Sequence, residues 1–339
     1  HVSTAASLQA VAYFLPYHIN PVIPMFNRHP RPDRGSQNET NKRNNMKKIF
    51  ISALLLCSSA IGFAQLVNIQ SIDKVTLPQG VTVDKAILSP DGSFAVISQN
   101  EKGGIYRLDL ATNAIKTIST TGNPFELKIA NDGTVIFRES KTAENKLRYT
   151  SLKAVTPRGV ETTLANPTRN LQGFAVQGNS VMTVDNNKLS AKGLNGAAAV
   201  KFPVASINKG QLCINGKVIS PNGREGASYL WPSISPNGTK VCYYLATKGC
   251  YVANIDGSNP IFLGVIRAAR WLNDLTVVGM HDIDNGTVVT SSKLVAASID
   301  GKTTQDITVK ESFAMFPSTN GNKIAYSTPM GDMFIINLK

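Results

Sequence analysis

The chain has 339 residues, 42% of them hydrophobic and 17% charged, and a formal net charge of +13. The positive charge is scattered rather than gathered into a basic run interleaved with aromatics. That excludes an obvious nucleic-acid surface and suits solubility or weak attraction to anionic envelope polymers. Four cysteines with no Cys-x-x-Cys spacing exclude a disulfide framework or a zinc ribbon.

Residues 1–45 open with His1, and Asn38–Asn45 is rich in Asn, Lys, Arg and Thr. They read as a leader upstream of a start at Met46; a true extension carrying an amphipathic Leu8–Tyr17 helix is the competing reading. Met46-Lys47-Lys48, the apolar run from Ile49 to Leu56 and the small-residue stretch to Ala64 give the three regions of a secretory signal peptide. Cleavage is expected after Ala64, with export by the Sec route to the periplasm or outer surface of a Gram-negative bacterium. The run is too short for a bilayer-spanning helix of ~20 residues. A lipoprotein route through Cys57 is disfavoured because Leu56 stands where a small residue is expected.

Residues 65–339 read as a single all-β domain. An apolar strand, a polar Ser/Asn/Asp/Gly corner and a second apolar strand recur six times, clearest at Leu88-Ser89-Pro90-Asp91-Gly92 and Ile234-Ser235-Pro236-Asn237-Gly238. Pro, Asn, Asp and Gly supply the preset or positive φ that such corners need. The period of roughly 46 residues is that of propeller blades. Lys85–Leu88, Phe94–Ser98, Gly104–Leu108 and Ala114–Ile118 make a first four-stranded blade. Blades two and three follow from about Phe125 and Leu171. Between Val204 and Ala227 lies extra material, read as an added hairpin turning at Asn215-Gly216. Blade four runs from Tyr229 to Leu263, and blade five from Arg267 to Ile307 with a long hairpin at Asp282–Gly286. The last repeat holds only three strands, and Leu66–Ile72 is expected to complete its sheet as the outermost strand. The predicted fold is thus a six-bladed β-propeller closed by its N-terminal strand, with no helix. Such closure leaves no exposed junction edge.

The Ser-Pro-Asp/Asn-Gly corners, followed about a dozen residues later by patterns such as Gly104-Ile105-Tyr106-Arg107-Leu108-Asp109 and Gly249-Cys250-Tyr251-Val252-Ala253-Asn254, resemble the WD-like repeats of the TolB-type propeller family. The likeness covers residues 66–339. Tyr229-Leu230-Trp231-Pro232-Ser233, Ala269-Arg270-Trp271-Leu272 and Ala314-Met315-Phe316-Pro317-Ser318 also resemble secreted propellers of unassigned role from Bacteroides-like bacteria. The resemblance implies a binding module for a protein or envelope polymer. Almost nothing lies between Ala64 and the first blade where a full TolB carries an α/β domain, so a Tol-system role is not expected. A serine peptidase is excluded by the lack of a Gly-x-Ser-x-Gly elbow.

Two constellations carry chemistry. His281-Asp282-Ile283-Asp284-Asn285-Gly286 places an imidazole and two carboxylates together, and alternation puts Asp282 and Asp284 on one strand face. No cofactor is predicted, but hard oxygen ligands of this kind suit Ca²⁺, so His281, Asp282 and Asp284 form a candidate metal site; a solvated hairpin is the plainer reading. The second group is aromatic: Tyr229, Trp231, Trp271 and Phe316 near the inner strands, with Arg270, Arg267 and Arg224 beside them, suits stacking on sugars or gripping a peptide. Packing between blades explains the same aromatics. Cys213, Cys242 and Cys250 read as buried apolar residues, with Cys250 opposite Ala246 rather than Cys242. The expected function is a monomeric exported propeller that binds a protein or envelope glycan, with no nucleic acid and no membrane span. The alternative is a metal-assisted glycan lyase or hydrolase in the propeller channel.

Overall fold

The computed structural model describes residues 65–99, 103–121, 123–308 and 313–339. The expected leader and signal peptide lie outside them. Every regular element described is a β-strand, and all strand pairs in the sheets are antiparallel. In chain order, β1 (Ile69–Lys74) is followed by a first sheet of β2 (Lys85–Leu88), β3 (Phe94–Ser98), β4 (Ile105–Asp109) and β5 (Ile115–Ser119). The second sheet holds β6 (Phe125–Ile129), β7 (Val135–Thr142), β8 (Arg148–Val155) and β9 (Glu161–Thr168); the third, β10 (Leu171–Gln177), β11 (Ser180–Asp185) and β12 (Lys188–Gly193). The fourth is β13 (Ala205–Asn208), β14 (Gln211–Ile214) and β15 (Lys217–Val218). The fifth is β16 (Tyr229–Ile234), β17 (Lys240–Leu245), β18 (Gly249–Asn254) and β19 (Ile261–Gly264); the sixth, β20 (Arg267–Asn273), β21 (Thr276–Asp284), β22 (Val289–Ser298) and β23 (Thr304–Asp306). The last is β24 (Met315–Thr319), β25 (Lys323–Ser327) and β26 (Met333–Leu338), with β1 added outside β26 in the order β1-β26-β25-β24.

There are therefore seven sheets among the described residues, not six. The material between Val204 and Ala227 is itself a sheet. Its innermost strand β13 touches both β10 and β16, so it holds a place between the third and fifth sheets rather than decorating one of them. Each first strand contacts those of the sheets beside it, from β2 through β6, β10, β13, β16 and β20 to β24, and β24 contacts β2. The core divides the same way. Seven apolar clusters each bridge one pair of neighbouring sheets, such as Met182, Val184 and Val204 between the third and fourth and Leu212, Ile214, Tyr229 and Tyr243 between the fourth and fifth. A sheet that buries apolar side chains on both faces is an architectural layer, because each face must be covered by another element. The short sheet escapes the repeat pattern because its corner is Asn208-Lys209-Gly210-Gln211, without the Ser-Pro-Asx-Gly signature. The Asn215-Gly216 turn forms as expected, with φ of 52° and 81°, both positive as a type I′ hairpin requires.

The corners earn their repetition twice. Within the first, Ser89 Oγ donates to Asp91 Oδ1 at 2.6 Å, while Ser93 N donates to Asp91 Oδ1 at 3.0 Å and Phe94 N to Ser89 Oγ at 3.1 Å. Ser235, Asn237, Thr239 and Lys240 repeat the same three bonds in the fifth sheet. These bonds hold the Asp91 carboxyl below its ordinary pKa. Between sheets the corners join. Asn237 N donates to Asp274 Oδ1 at 2.9 Å, Asp132 N to Asn179 Oδ1 at 2.9 Å, and Asn320 Nδ2 to Ser89 O at 3.3 Å. Gly92, at φ 68°, holds a backbone conformation that side chains disfavour, and a Cβ there would push on Asn320 Nδ2 at 2.8 Å.

The N-terminal strand begins later than the sequence suggests, at Ile69 rather than Leu66, and pairs with β26 from Ile69↔Leu338 to Lys74↔Phe334. Leu66 and Val67 instead face the sixth sheet. Their amides both donate to Gln305 Oε1 at 2.9 Å, and Gln305 Nε2 donates to Val67 O at 2.8 Å. The three cysteines are free and buried. A three-residue loop at 246–248 sets Cys250 opposite Tyr244, not Ala246, and leaves the sulfurs of Cys242 and Cys250 3.5 Å apart.

Candidate functional site

The first strands of four sheets skip two residues of register near their N-terminal ends, between Phe125 and Lys128, Leu230 and Ser233, Arg267 and Arg270, and Met315 and Ser318, and β10 skips one, between Leu171 and Gly173. At each of the four longer breaks one non-glycine residue takes a left-handed conformation: Glu126 (φ 49°), Trp231 (48°), Ala268 (50°) and Phe316 (52°). These are β-bulges, which bend the strand and re-aim a side chain. A positive φ is unusual for any non-glycine residue and strained for a bulky one, and such strain gathers at functional sites. All four lie at the same end of the inner strands. Two hairpins run well past that end, β7–β8 to the Thr142↔Arg148 pair and β21–β22 to Asp284↔Val289.

Each bulged aromatic is met by a cation from the next sheet. The Arg267 guanidinium lies 5.5 Å from the Trp231 ring centroid, and Lys85 Nζ lies 4.7 Å from that of Phe316. Both rings are half-buried. Tyr244 packs against Trp231 with centroids 5.4 Å apart and the rings tilted at 56°. Arg267 is fixed from behind: its Nη1 donates to Asp282 Oδ2 at 2.5 Å, and Ser292 Oγ donates to Asp282 Oδ1 at 2.7 Å. At the Glu126 bulge, Arg138 Nε stands 3.1 Å from Glu126 Oε2. Lys128 and Arg270 are the residues closing their bulges.

The predicted site residues divide between core and mouth. Tyr229 is fully buried: its hydroxyl donates to Gly223 O at 2.9 Å and accepts from Asn222 N at 2.8 Å, and its ring packs on Tyr243. Trp271 is core as well, with Nε1 donating to Ser233 O of the neighbouring sheet at 3.0 Å. For these two, packing between sheets accounts for the aromatic. Trp231, Arg270 and Phe316 belong to the mouth, and Arg224 lies exposed in the loop before β16. His281, Asp282 and Asp284 follow one another on β21 but do not form a ligand set. Asp282 is occupied by Arg267 and Ser292, and Asp284 accepts the Gly286 amide in the hairpin turn at 2.9 Å. No group of three His, Cys, Asp or Glu side chains fit to hold a metal ion occurs among the described residues. Asp282 thus serves as the support of Arg267.

Lys85, Glu126, Lys128 and Arg138 escaped the sequence reading. Lined up by their bulges, Phe125-Glu126-Leu127-Lys128, Leu230-Trp231-Pro232-Ser233, Arg267-Ala268-Ala269-Arg270 and Met315-Phe316-Pro317-Ser318 occupy one position in four sheets. That alignment was the available signal. A separate cleft of about 150 Å³ on the second sheet, walled by Glu139, Lys141, Tyr149 and Lys153, includes none of the predicted residues.

No family model matches the chain, and no curated protein matches it. Solved structures do. A chain in the crystal structure of the mitotic checkpoint complex superposes with a TM-score of 0.54 at 9% identity, over 87% of this chain and 99% of that one. TolB from Acinetobacter baumannii gives 0.46 at 13% identity, over 70% of this chain and 56% of TolB. An oligogalacturonate lyase from Vibrio parahaemolyticus gives 0.43 at 14% identity, over 77% and 79%. Likeness at this level of identity speaks to fold alone. With its antiparallel sheets and its circle of inner strands, the chain is a β-propeller.

Proposed function

We propose that this propeller is a recognition module, exported to the periplasm or outer surface of a Gram-negative bacterium, that holds a protein or envelope polymer at the mouth framed by Trp231, Phe316, Arg267 and Lys85. The observation that carries the reading is the bulge repeated in four inner strands, which places strained non-glycine residues together at one end. At two of the four bulges the left-handed residue is a large aromatic, Trp231 or Phe316, and a bulge re-aims the side chain it carries. Aromatic faces flanked by cations suit stacking on a sugar or gripping a peptide with acidic groups. A metal-assisted glycan lyase or hydrolase has less support, because the carboxylates meant to anchor its cation are engaged elsewhere.

The test is affinity capture from envelope extract with the wild-type chain and a Trp231→Ala/Phe316→Ala double variant, each checked for folding by circular dichroism. The expected result is one or a few enriched species in the wild-type eluate, depleted at least tenfold with the variant, in line with the loss of two aromatic anchors. Equal capture by both proteins would overturn the assignment of this mouth.

A further inference from the structure

One face of the β7–β8 hairpin changes character along its length. Near the ring Val135, Phe137 and Val155 are buried against the first sheet, and towards the hairpin end Glu139, Lys141, Ser151 and Tyr149 continue the same alternation. Strand pairing sets Glu139 directly opposite Ser151, and Lys141 opposite Tyr149. The remaining wall comes from β9, which is bulged twice: Thr150, Leu152 and Lys153 pair with Thr168, Ala165 and Thr163, five steps of β9 against three of β8. Bulges bend a strand and re-aim its side chains, and Asn166 and Pro167 lie within the first of them. The three strands enclose the cleft of about 150 Å³ noted above.

Its floor is polar and only partly satisfied. Glu139 is 5% exposed, and both groups that reach its carboxylate meet Oε1: Thr121 Oγ1 donates at 3.1 Å and Lys141 Nζ stands 3.6 Å away. Its Oε2 has no hydrogen-bond partner among the described residues. Ser151 is also 5% exposed, and its hydroxyl makes no hydrogen bond there either. On the bulged wall the side chains of Thr163 and Asn166 are likewise unpaired among the described residues. Buried polar groups are ordinarily paired, so a carboxylate oxygen and a hydroxyl left open opposite each other in one cleft are fitted to a polar ligand.

Charge and shape narrow its chemistry. The two cations of the cleft each have a carboxylate, Lys141 with Glu139 and Lys153 with Glu161, the latter at 2.9 Å. An anion entering would meet the open oxygen of Glu139, and a cation would lie beside two lysines, so neither sign is favoured. Tyr149 and Pro167 add flat apolar surface to the same walls. A ring whose hydroxyls both donate and accept, and whose C–H face is apolar, matches this mixture. The volume suits one such ring and is below that of a pocket for a drug-sized molecule.

We propose that this cleft binds a single neutral pyranose ring, with sugar hydroxyls on Glu139 and Ser151 and a C–H face against Tyr149. Every wall belongs to the second sheet, so the site is separate from the mouth framed by Trp231 and Phe316 and does not rest on it.

The experiment is a ligand-observed NMR titration of the full chain with the methyl pyranosides of glucose, galactose, mannose and N-acetylglucosamine. Glucuronate and glucosamine serve as charged counterparts, a trisaccharide of whichever sugar binds is added, and the series is repeated for Glu139→Gln and Asn166→Ala. Saturable binding of at least one neutral pyranoside is expected, weakened about tenfold in Glu139→Gln and roughly threefold in Asn166→Ala, as for one charged and one neutral hydrogen bond. The charged counterparts bind more weakly than the neutral sugars. A trisaccharide binding more tightly than its pyranoside assigns the ring to a polymer, and the reverse assigns a free sugar; both uphold the site. No saturable binding of any neutral pyranoside, tighter binding of a charged counterpart, or affinity unchanged in Asn166→Ala would overturn it. Asn166 is exposed, so its variant keeps the test decisive if Glu139→Gln does not fold. Loss of sugar binding in the Trp231→Ala/Phe316→Ala variant with none in Asn166→Ala would move the sugar to the mouth and overturn the cleft alone.

Discussion

Gln305→Ala tests how the start of the domain is fastened to the ring. The Gln305 carboxamide satisfies three backbone groups of Leu66 and Val67, at 2.9, 2.9 and 2.8 Å, and Val67 is 2% exposed within the cluster that joins the sixth and last sheets. A net contribution of about 1 kcal/mol per hydrogen bond gives about 3 kcal/mol if all three groups are left unpaired, and about 2 kcal/mol if water reaches one of them. At roughly 2–4 °C per kcal/mol for a domain of this size or somewhat smaller, Tm falls by about 5 °C. Urea denaturation gives the free energy, and hydrogen exchange read by mass spectrometry gives the location. Amides of residues 66–74 lose protection first, because β1 stands at the edge of its sheet, paired with β26. Loss of less than about 0.5 kcal/mol, with exchange in β1 unchanged, would refute the reasoning and leave the β1–β26 ladder as the sole fastening.

Ala268→Gly removes a left-handed alanine at φ 50° and is expected to stabilise the fold by about 1 kcal/mol or slightly less, read as a rise in urea midpoint; a fall would show that the bulge carries no strain. Lys128→Met is expected to stabilise the free protein at pH 7. The Lys128 pKa is lowered from 10.5 by enclosure, so between the lowered value and 10.5 the folded state binds fewer protons than the unfolded state, and wild-type stability rises with pH across that window. The advantage of the variant therefore shrinks as pH climbs towards 10.5, and a constant gap across that range in paired melts would contradict it. Cys213, Cys242 and Cys250 are buried; burial raises the thiol pKa of Cys213, and the hydrogen bond with Cys242, with burial second, raises that of Cys250. Ellman's reagent is expected to titrate none of the three in the native protein at pH 8 and all of them in urea; rapid native labelling would show that the sheets open locally.

The parts of this fold legible in the sequence are those fixed by local chemistry. Ser89 and Asp91 announce their corner because their side chains bond the backbone two to five residues away, a pattern that needs no distant partner. The boundaries of β2 and β3 follow from apolar runs between such corners. The fourth sheet was hidden because a propeller sheet is defined by what covers its two faces. The neighbours of Val204 and Leu212 cannot be read from a 24-residue stretch with a strong hairpin turn. At the site the same limit applies. Tyr229 and Trp271 look like ligand aromatics until the ring places Gly223 O and Ser233 O against their polar ends. Lys128 in Phe-Glu-Leu-Lys-Ile passes for an outward residue of an alternating strand, since only the fold sets its amine 5.7 Å from the Phe174 ring of the next sheet. Asp282 stands out in the sequence beside His281 and Asp284, but its partners, Arg267 from β20 and Ser292 from β22, are set by strand pairing that the local sequence does not show.

The most direct measurement is site-specific photo-crosslinking in envelope extract, with a photoreactive phenylalanine analogue placed at position 316 in one protein and at position 91, on the opposite end of the inner strands, in another. Recognition at the bulged mouth predicts a discrete adduct from position 316 and none from position 91. Adducts from position 91 alone would contradict it.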